Sequence, residues 1–405
     1  MISKQLLEEI IKDQNENFLR KKLVDREQNL PNDSNQIVIV SGVRRCGKSV
    51  LIRKSFFEPE FGLYLNFEDP RLVNFEMADF PKLEVIRDEL GKSAILLDEV
   101  QDVEGWEIFA RALHEKSQKL FIMGSNASML SRELGTRLTG RYKQIELFPF
   151  SYNEFLEFKN LSLGESSFES YFQFGGFPEY LENHDREYLR TLLRDILTRD
   201  VAVRRNIANE NHLIRLGVFL ASNVGKEFSY SRMANLLEIK SVRTLIDYCN
   251  FLEESYLFDL IPMYSTSIRK QVANPKRPYC IDTALAAANS ISFSKELGRR
   301  LENLVYLHLR RSFQSIYYFR SKNSECDFLI KLNEEVIGLV QVCWDLNPDT
   351  LAREINGIKD AMNETELDSG VLITWDQEDL IDGIPVIPAW KWLLEPAKGY
   401  FELKQ

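Results

Sequence analysis

The sequence has few cysteines, and none of them are arranged in a way that points to a bond or a metal. The five, Cys46, Cys249, Cys280, Cys326 and Cys343, are odd in number and widely spaced, with no CxxC pair. That pattern argues against a disulfide framework or a zinc ribbon and fits a reducing compartment. Long hydrophobic runs are lacking too. No stretch approaches the roughly 18 apolar residues a membrane helix needs. The first twenty residues, broken by Lys4, Glu8, Glu9, Lys12 and Asp13, have no apolar centre of the kind a signal peptide requires. A cytoplasmic protein without a membrane partner is expected on these grounds. Positive charge is also short: 51 Lys and Arg against 61 Asp and Glu leave a net charge of −10. Any contact with nucleic acid must therefore come from a local basic patch. Internal repeats and low-complexity tracts are absent.

What is present is a globular composition, 44% hydrophobic and 28% charged, over 405 residues. Single cores stop growing at about 250–300 residues, so two or three domains are expected. Leu6, Leu7, Ile10 and Ile11 have helical spacing within residues 1–35, and the turn cluster Leu30–Gln36 follows. Four short apolar runs then read as strands: Ile37–Val40, Leu63–Phe67, Ala94–Leu97 and Leu120–Met123. Charged, helix-like segments separate them, which is the pattern of a parallel sheet with helices. From Ser151 to about Leu260 the pattern is mostly helical. Within Phe228–Leu260, two short amphipathic segments flank a turn at Lys240–Ser241, consistent with a helix-turn-helix. A long helix is expected around Leu297–Phe313. Strand-like runs at Ile316–Phe319, Asp327–Ile330, Val336–Val342 and Gly370–Ile373 then form a further α/β unit.

The chemistry concentrates after the first strand. Gly42, Val43, Arg44, Arg45, Cys46, Gly47, Lys48, Ser49 and Val50 fill GxxxxGK[ST] and its flank, between a strand and a helix as the motif demands. Glycines let such a loop wrap a phosphate with its N–H groups inward. Lys48 supplies a cation for the β- and γ-phosphates, and Ser49 a hydroxyl for Mg²⁺. The third strand ends in Asp98-Glu99. Asp98 is expected in the Mg²⁺ shell and Glu99 beside an attacking water. The fourth strand runs into Ser125 and Asn126, candidates for a polar sensor of the γ-phosphate or for a helix N-cap. Arg137 and Arg141 could stabilise charge on the γ-phosphate, in their own subunit or a neighbour's, or be ordinary surface arginines. The neighbour's version requires a homo-oligomer.

Taken together, these residues resemble a large bacterial and archaeal family of predicted AAA-type ATPases with a C-terminal domain of unknown function. The resemblance rests on "VSGVRRCGKSVLIR", "LNFEDPR", "ILLDEVQDVEGWE", "GSNASML", "LTGRY", "FPFSYNEFLEF", "GGFPEY", "LRDILTRDV" and "YCIDTALAAA". It implies ATP as the nucleotide, bound by the P-loop and Walker B positions named above. The fold it implies is α/β. A P-loop AAA-type parallel sheet with helices occupies residues 1–150. A helical and winged-helix region follows over 151–265, with the winged helix around Asn211–Met263. A restriction-endonuclease-like α/β domain occupies 266–405. Such nuclease-like tails use an acid on a helix, then an Asp, then an acidic-x-Lys strand. Here Glu302 and Asp327 fit the first two, with Glu325 nearby, but Gln341 and Cys343 stand at the last two. The tail is therefore expected to have the fold without cleavage.

Two stretches are locally basic. One holds Arg186, Arg190, Arg194, Arg199, Arg204 and Arg205. The other holds Arg299, Arg300, Arg310 and Arg311. They read equally as phosphate contacts or as solvated helix faces. Lys240, Arg243 and Arg232 could approach DNA from the helix-turn-helix. The expected function is Mg²⁺-dependent ATP hydrolysis coupled to DNA. The alternatives are an ATP-gated switch on a protein partner and, more remotely, an ATP-coupled nuclease.

Overall fold

The computed structural model describes residues 1–16, 24–31, 36–55, 62–125, 138, 140–291 and 296–402. The chain divides into two compact units, one made of residues 1–148 with 254–256, the other of residues 149–253 with 257–405.

In the first unit the apolar runs become strands because each can be buried on both faces, as a parallel sheet flanked by helices requires. They are β1 (Ile37–Ser41), β2 (Gly62–Asn66), β3 (Ala94–Asp98) and β4 (Lys119–Gly124). A fifth strand, β5 (Tyr142–Glu146), was not expected from its sequence, YKQIE. It lies at the sheet edge, where Ile145 is its one fully buried side chain, so it carries no long apolar run. Among the described residues the order is β2-β3-β4-β1-β5, every pair parallel. The α/β fold expected from the sequence is thus present. The core joins Ile37, Ile39, Leu65, Leu97 and Ile122 to Phe80, Leu83 and Leu113 from the helices, and to Leu7 and Ile10 from the N-terminal helix Lys4–Glu16. Parallel pairing puts all the C-terminal strand ends on one edge. Ser41 pairs with Gly124, and Asp98 with Met123.

The second unit begins with helices, among them Tyr152–Lys159, Glu165–Phe174, Arg186–Asp195 and Glu210–Ser222. The helix-turn-helix reading corresponds to helices Tyr230–Leu236 and Val242–Glu254. An antiparallel pair follows, β6 (Phe258–Pro262) with β7 (Lys276–Cys280). The long helix spans Leu297–Arg310. Beyond it come β8 (Ser315–Arg320), β9 (Glu325–Leu332), β10 (Glu335–Cys343), β11 (Val371–Thr374), β12 (Asp379–Ile381) and β13 (Ile384–Pro388). They form a mixed sheet of order β12-β13-β11-β10-β9-β8. The helix Pro348–Thr365 covers part of it with Ile355, Ile358 and Ala361. Among the described residues no helix is long and apolar enough to cross a membrane.

Two of the family-like landmarks meet inside this unit. Asp282 is 3% exposed and caps the helix Thr283–Asn289 by accepting the Leu285 N–H at 2.8 Å. Its other oxygen accepts the N–H of Gly176 at 2.7 Å. A side chain on the adjacent Gly175 would put its Cβ 2.3 Å from that carboxylate, at a φ of 65° that already favours glycine. "GGFPEY" and "YCIDTALAAA" are therefore one buried pin between a loop and a helix start. Replacing Asp282 by Ala removes a cap and leaves the Gly176 N–H buried without an acceptor. The expected cost is about 2–4 kcal/mol. Chemical denaturation followed by a probe in the second unit should show it as a lowered midpoint. A loss below roughly 0.5 kcal/mol, the range of an ordinary surface change, would show that the pin carries little of the stability.

Candidate phosphate-binding site

The loop after β1 is forced into its shape by close packing. A Cβ on Gly42 would sit 2.1 Å from the carbonyl oxygen of Leu147, so only glycine fits there. Gly47 has a φ of 102°, open to glycine alone without strain. Val43 and Cys46 are fully buried, and the Cys46 thiol donates to the Leu147 carbonyl at 3.3 Å. Arg45 is exposed at a φ of 67°, and Arg44 pairs with Glu68 at 2.9 Å. Val50 lies half-buried one turn into the helix Lys48–Ser55. The Lys48 ammonium is held within the turn, donating to the carbonyls of Gly42 and Val43 at 3.0 and 3.1 Å.

β3 delivers its acids to the same edge. The Ser49 hydroxyl donates to Asp98 Oδ2 at 2.6 Å, and so does the Tyr64 hydroxyl, at 2.8 Å. Asp98 is buried. Its carboxyl is pushed up to about 6 by burial and by the neighbouring Glu99, against the two hydroxyls and Lys48. Glu99 itself is 7% exposed and stands at a left-handed φ of 53°. Its N–H donates to the Met123 carbonyl at 3.0 Å, a last rung of the pairing with β4 before the left-handed turn. Gln101 donates to its Oε2, as does the Ser125 hydroxyl at 3.3 Å. Hard oxygen donors at Ser49 and Asp98 beside an inward lysine suit a Mg²⁺-nucleotide.

Three participants carry no motif signal. Tyr64 lies on β2 and meets Asp98 only because β2 pairs with β3. Gln101 follows Asp-Glu by two residues, but nothing in the sequence ties it to Glu99. Arg26 donates to the Cys46 carbonyl at 3.0 Å and to the Phe148 carbonyl at 2.6 Å, bracing the loop from twenty residues upstream.

The other expected participants are Asn126, Arg137 and Arg141. Asn126 and Arg137 lie outside the described residues. Arg141 is at the far edge: its carbonyl accepts the N–H of Ile37, the first residue of β1, at 2.9 Å. The strand between that point and the loop spans roughly 13 Å at 3.3 Å per residue. This distance exceeds the reach of an arginine side chain, so the Arg141 backbone stands too far from the loop of its own subunit for its guanidinium to meet a phosphate there. The basic stretches of the second unit are largely engaged in packing. Arg186 and Arg190 donate to the Ala287 and Ala288 carbonyls at the end of the helix Thr283–Asn289, at 3.0 and 3.2 Å. Arg300 donates to the Phe172 carbonyl at 2.9 Å, and Arg311 to that of Pro149 at 2.6 Å.

Comparison with known proteins agrees with this geometry. Residues 34–156 match the model of an AAA domain, and residues 165–296 match a domain of unknown function (DUF8612). An uncharacterised protein of Methanocaldococcus jannaschii, MJ1544, is 33% identical, with 97% of this chain and 96% of the relative aligned. The chain belongs to this family of AAA-domain proteins. An uncharacterised Haemophilus influenzae member is 30% identical over 93% of this chain and 100% of its own length. Among solved structures, the Walker-type ATPase PABY2304 of Pyrococcus abyssi aligns with 67% of this chain and 99% of its own, at 16% identity and a TM-score of 0.44.

The state of Asp98 in this AAA protein has a measurable consequence. Its folded value near 6 exceeds the ordinary 3.8, so the native form holds the proton more tightly than the unfolded chain. This contribution is present at low pH and is lost as pH rises from about 4 to about 6, by on the order of 2 kcal/mol. Denaturation of the nucleotide-free protein against Asp98→Asn should show the difference: over that window the parent loses stability relative to the variant. Parallel curves would remove the burial argument.

Proposed function

We propose that this AAA protein binds ATP with Mg²⁺ and hydrolyses it. The observation that carries the reading is Glu99. It is a buried carboxylate at the end of β3, next to Asp98 and held by two donors on the same sheet edge as the P-loop. A nucleotide store needs a lysine and a hydroxyl. A second acid in fixed orientation is what a hydrolase adds, to orient water and accept its proton. In this reading Gly42 to Val50 bind the phosphates. Lys48 steadies the β- and γ-phosphates, Ser49 and Asp98 hold the metal, and Asn126 senses the γ-phosphate. Bound Mg²⁺ would neutralise charge on the phosphate oxygens. Arg141, on the far edge of its own sheet, would act on the site of a neighbouring copy in a homo-oligomer.

Coupling to DNA is the favoured use of the cycle. Arg232, Lys240 and Arg243 are all exposed, Arg232 on the first helix of the helix-turn-helix, Lys240 in its turn and Arg243 in the first turn of the second helix. A winged helix is supported by helices Glu210–Ser222, Tyr230–Leu236 and Val242–Glu254, followed by the β6–β7 pair. A division of the second unit near residue 265 would cut this β6–β7 pair, so we place it after β7, with the mixed sheet in the part that follows.

Steady-state ATP hydrolysis, with and without single-stranded, duplex and branched DNA, tests both levels. Glu99→Gln should lower turnover roughly a hundredfold or more while keeping nucleotide binding, and Lys48→Ala should lose both. Turnover that survives Glu99→Gln would refute the assignment of Glu99. Joint replacement of Arg232, Lys240 and Arg243 by Ala should leave basal turnover unchanged and abolish stimulation by DNA. If no DNA form changes the parent's rate, the cycle serves a protein partner instead.

A further inference from the structure

The second unit contains a buried acidic cluster that the nucleotide chemistry does not use. Glu302, on the helix Leu297–Arg310, is 8% exposed, and Asp327, on β9, is 6% exposed. Glu325 stands two residues before Asp327, on the same face of the strand. By sequence these are the acids of a nuclease-like metal site, and their surroundings can be tested against that use.

The surroundings do not fit. Arg277, on β7 and 4% exposed, places its guanidinium among all three acids. One terminal nitrogen lies 3.2 Å from Asp327 Oδ1 and 3.8 Å from Glu302 Oε1, and the other 2.7 Å from Glu325 Oε2. The group stacks 4.5 Å from the centre of the Tyr318 ring. Glu302 and Asp327 have further donors as well. Tyr279 donates to Glu302 at 2.6 Å, and the N–H of Val342 to Asp327 Oδ2 at 3.0 Å. Gln341, at the third acidic position, spends both ends of its amide. It accepts the Asp327 N–H at 3.0 Å and donates to Glu354 at 2.5 Å. Cys343, where a lysine would stand, donates its thiol to the Asp345 carbonyl at 3.2 Å. Among the described residues no group of three acids, histidines or cysteines is arranged to hold a metal.

Lack of access does not explain this. A cavity of about 590 Å³ opens beside the cluster, lined by Arg277, Glu302, Glu325, Asp327 and Gln341. What keeps a divalent ion out is charge: a second cation would sit against the guanidinium in a poorly screened interior. The register is fixed too, because Asn303 bonds both the N–H and the carbonyl of Cys280, at 2.8 and 3.0 Å, and ties the Glu302 helix to the Arg277 strand.

We propose that Arg277 is the permanent cation of this cluster, a guanidinium in the place of a divalent ion, and that it closes the C-terminal sheet to metal binding and to phosphodiester cleavage. The test is Mn²⁺ titration by calorimetry on the nucleotide-free full chain carrying Asp98→Asn, which removes the carboxylate at the end of β3. With Arg277 intact, no site is expected. Adding Arg277→Met should raise Mn²⁺ affinity by about tenfold or more and make the melting temperature rise with Mn²⁺. Both gains should vanish on further Asp327→Asn. Arg277→Lys, which keeps a charge, should fold and bind no Mn²⁺. The proposal is overturned by Mn²⁺ binding in the Arg277-intact chain that Asp327→Asn abolishes, or by a folded Arg277→Met chain that gains no site. If Arg277→Met does not fold, the intact chain and Arg277→Lys decide: binding that depends on Asp327 in either refutes it, and silence in both sustains it. Mn²⁺-dependent cleavage of plasmid DNA by the intact chain would refute it directly.

Discussion

Parallel pairing of β1, β4 and β3 is the constraint on which the first unit depends. Because the three strands run the same way, Ser41, Gly124 and Asp98 finish near one line, although they lie up to 83 residues apart in sequence. The loop after β1 then bends back beneath Leu147, and the approach is close enough that Gly42 tolerates no side chain. Lys48, Ser49, Asp98 and Glu99 acquire a common location from this edge rather than from one another. A register slip of one residue would turn every side chain of a strand to the opposite face and disperse them.

The two units handle buried acids in opposite ways, and the difference separates a site from a clamp. Asp98 and Glu99 are met by hydroxyls and an amide, while the nearby Lys48 is held by carbonyls of its own loop. None of the donors bonded to these acids is a guanidinium, and burial with the neighbouring Glu99 raises the Asp98 carboxyl to about 6. Glu302 and Asp327 are met by a guanidinium, which stays charged at any pH a protein meets. An interior of this kind favours one arrangement and penalises removal of either partner.

Motif and periodicity made most of the first unit legible. Four of its strands, the glycine-bearing loop and the acidic end of β3 follow from apolar runs and spacing, because a strand buried on both faces must be continuously apolar and a phosphate loop must have glycines. β5 was not legible, since an edge strand with one buried side chain resembles any polar segment. Tyr64, Gln101 and Arg26 were not legible for a related reason: their partners are neighbours only across strands or loops. For Arg141 the sequence left its own subunit and a neighbour's both open, and only the pairing of β5 with β1 sets its backbone beside Ile37, at the end of β1 away from the loop.

The sequence by itself determined that a GxxxxGK[ST] run follows one strand and an Asp-Glu pair ends another in this chain. Those features are local, and their residue types are dictated by backbone conformation and charge. It also showed Gln341 and Cys343 at the positions where a nuclease-like tail, as the resemblance implies, would carry an acid and a lysine. Only the tertiary structure decided what replaced them. Arg277 lies 25 residues before Glu302 and 50 before Asp327, and nothing in its neighbourhood along the chain marks it as their counter-ion. Ion pairing in an interior depends on distance and burial, and both are set by how β7, β9 and a helix pack together.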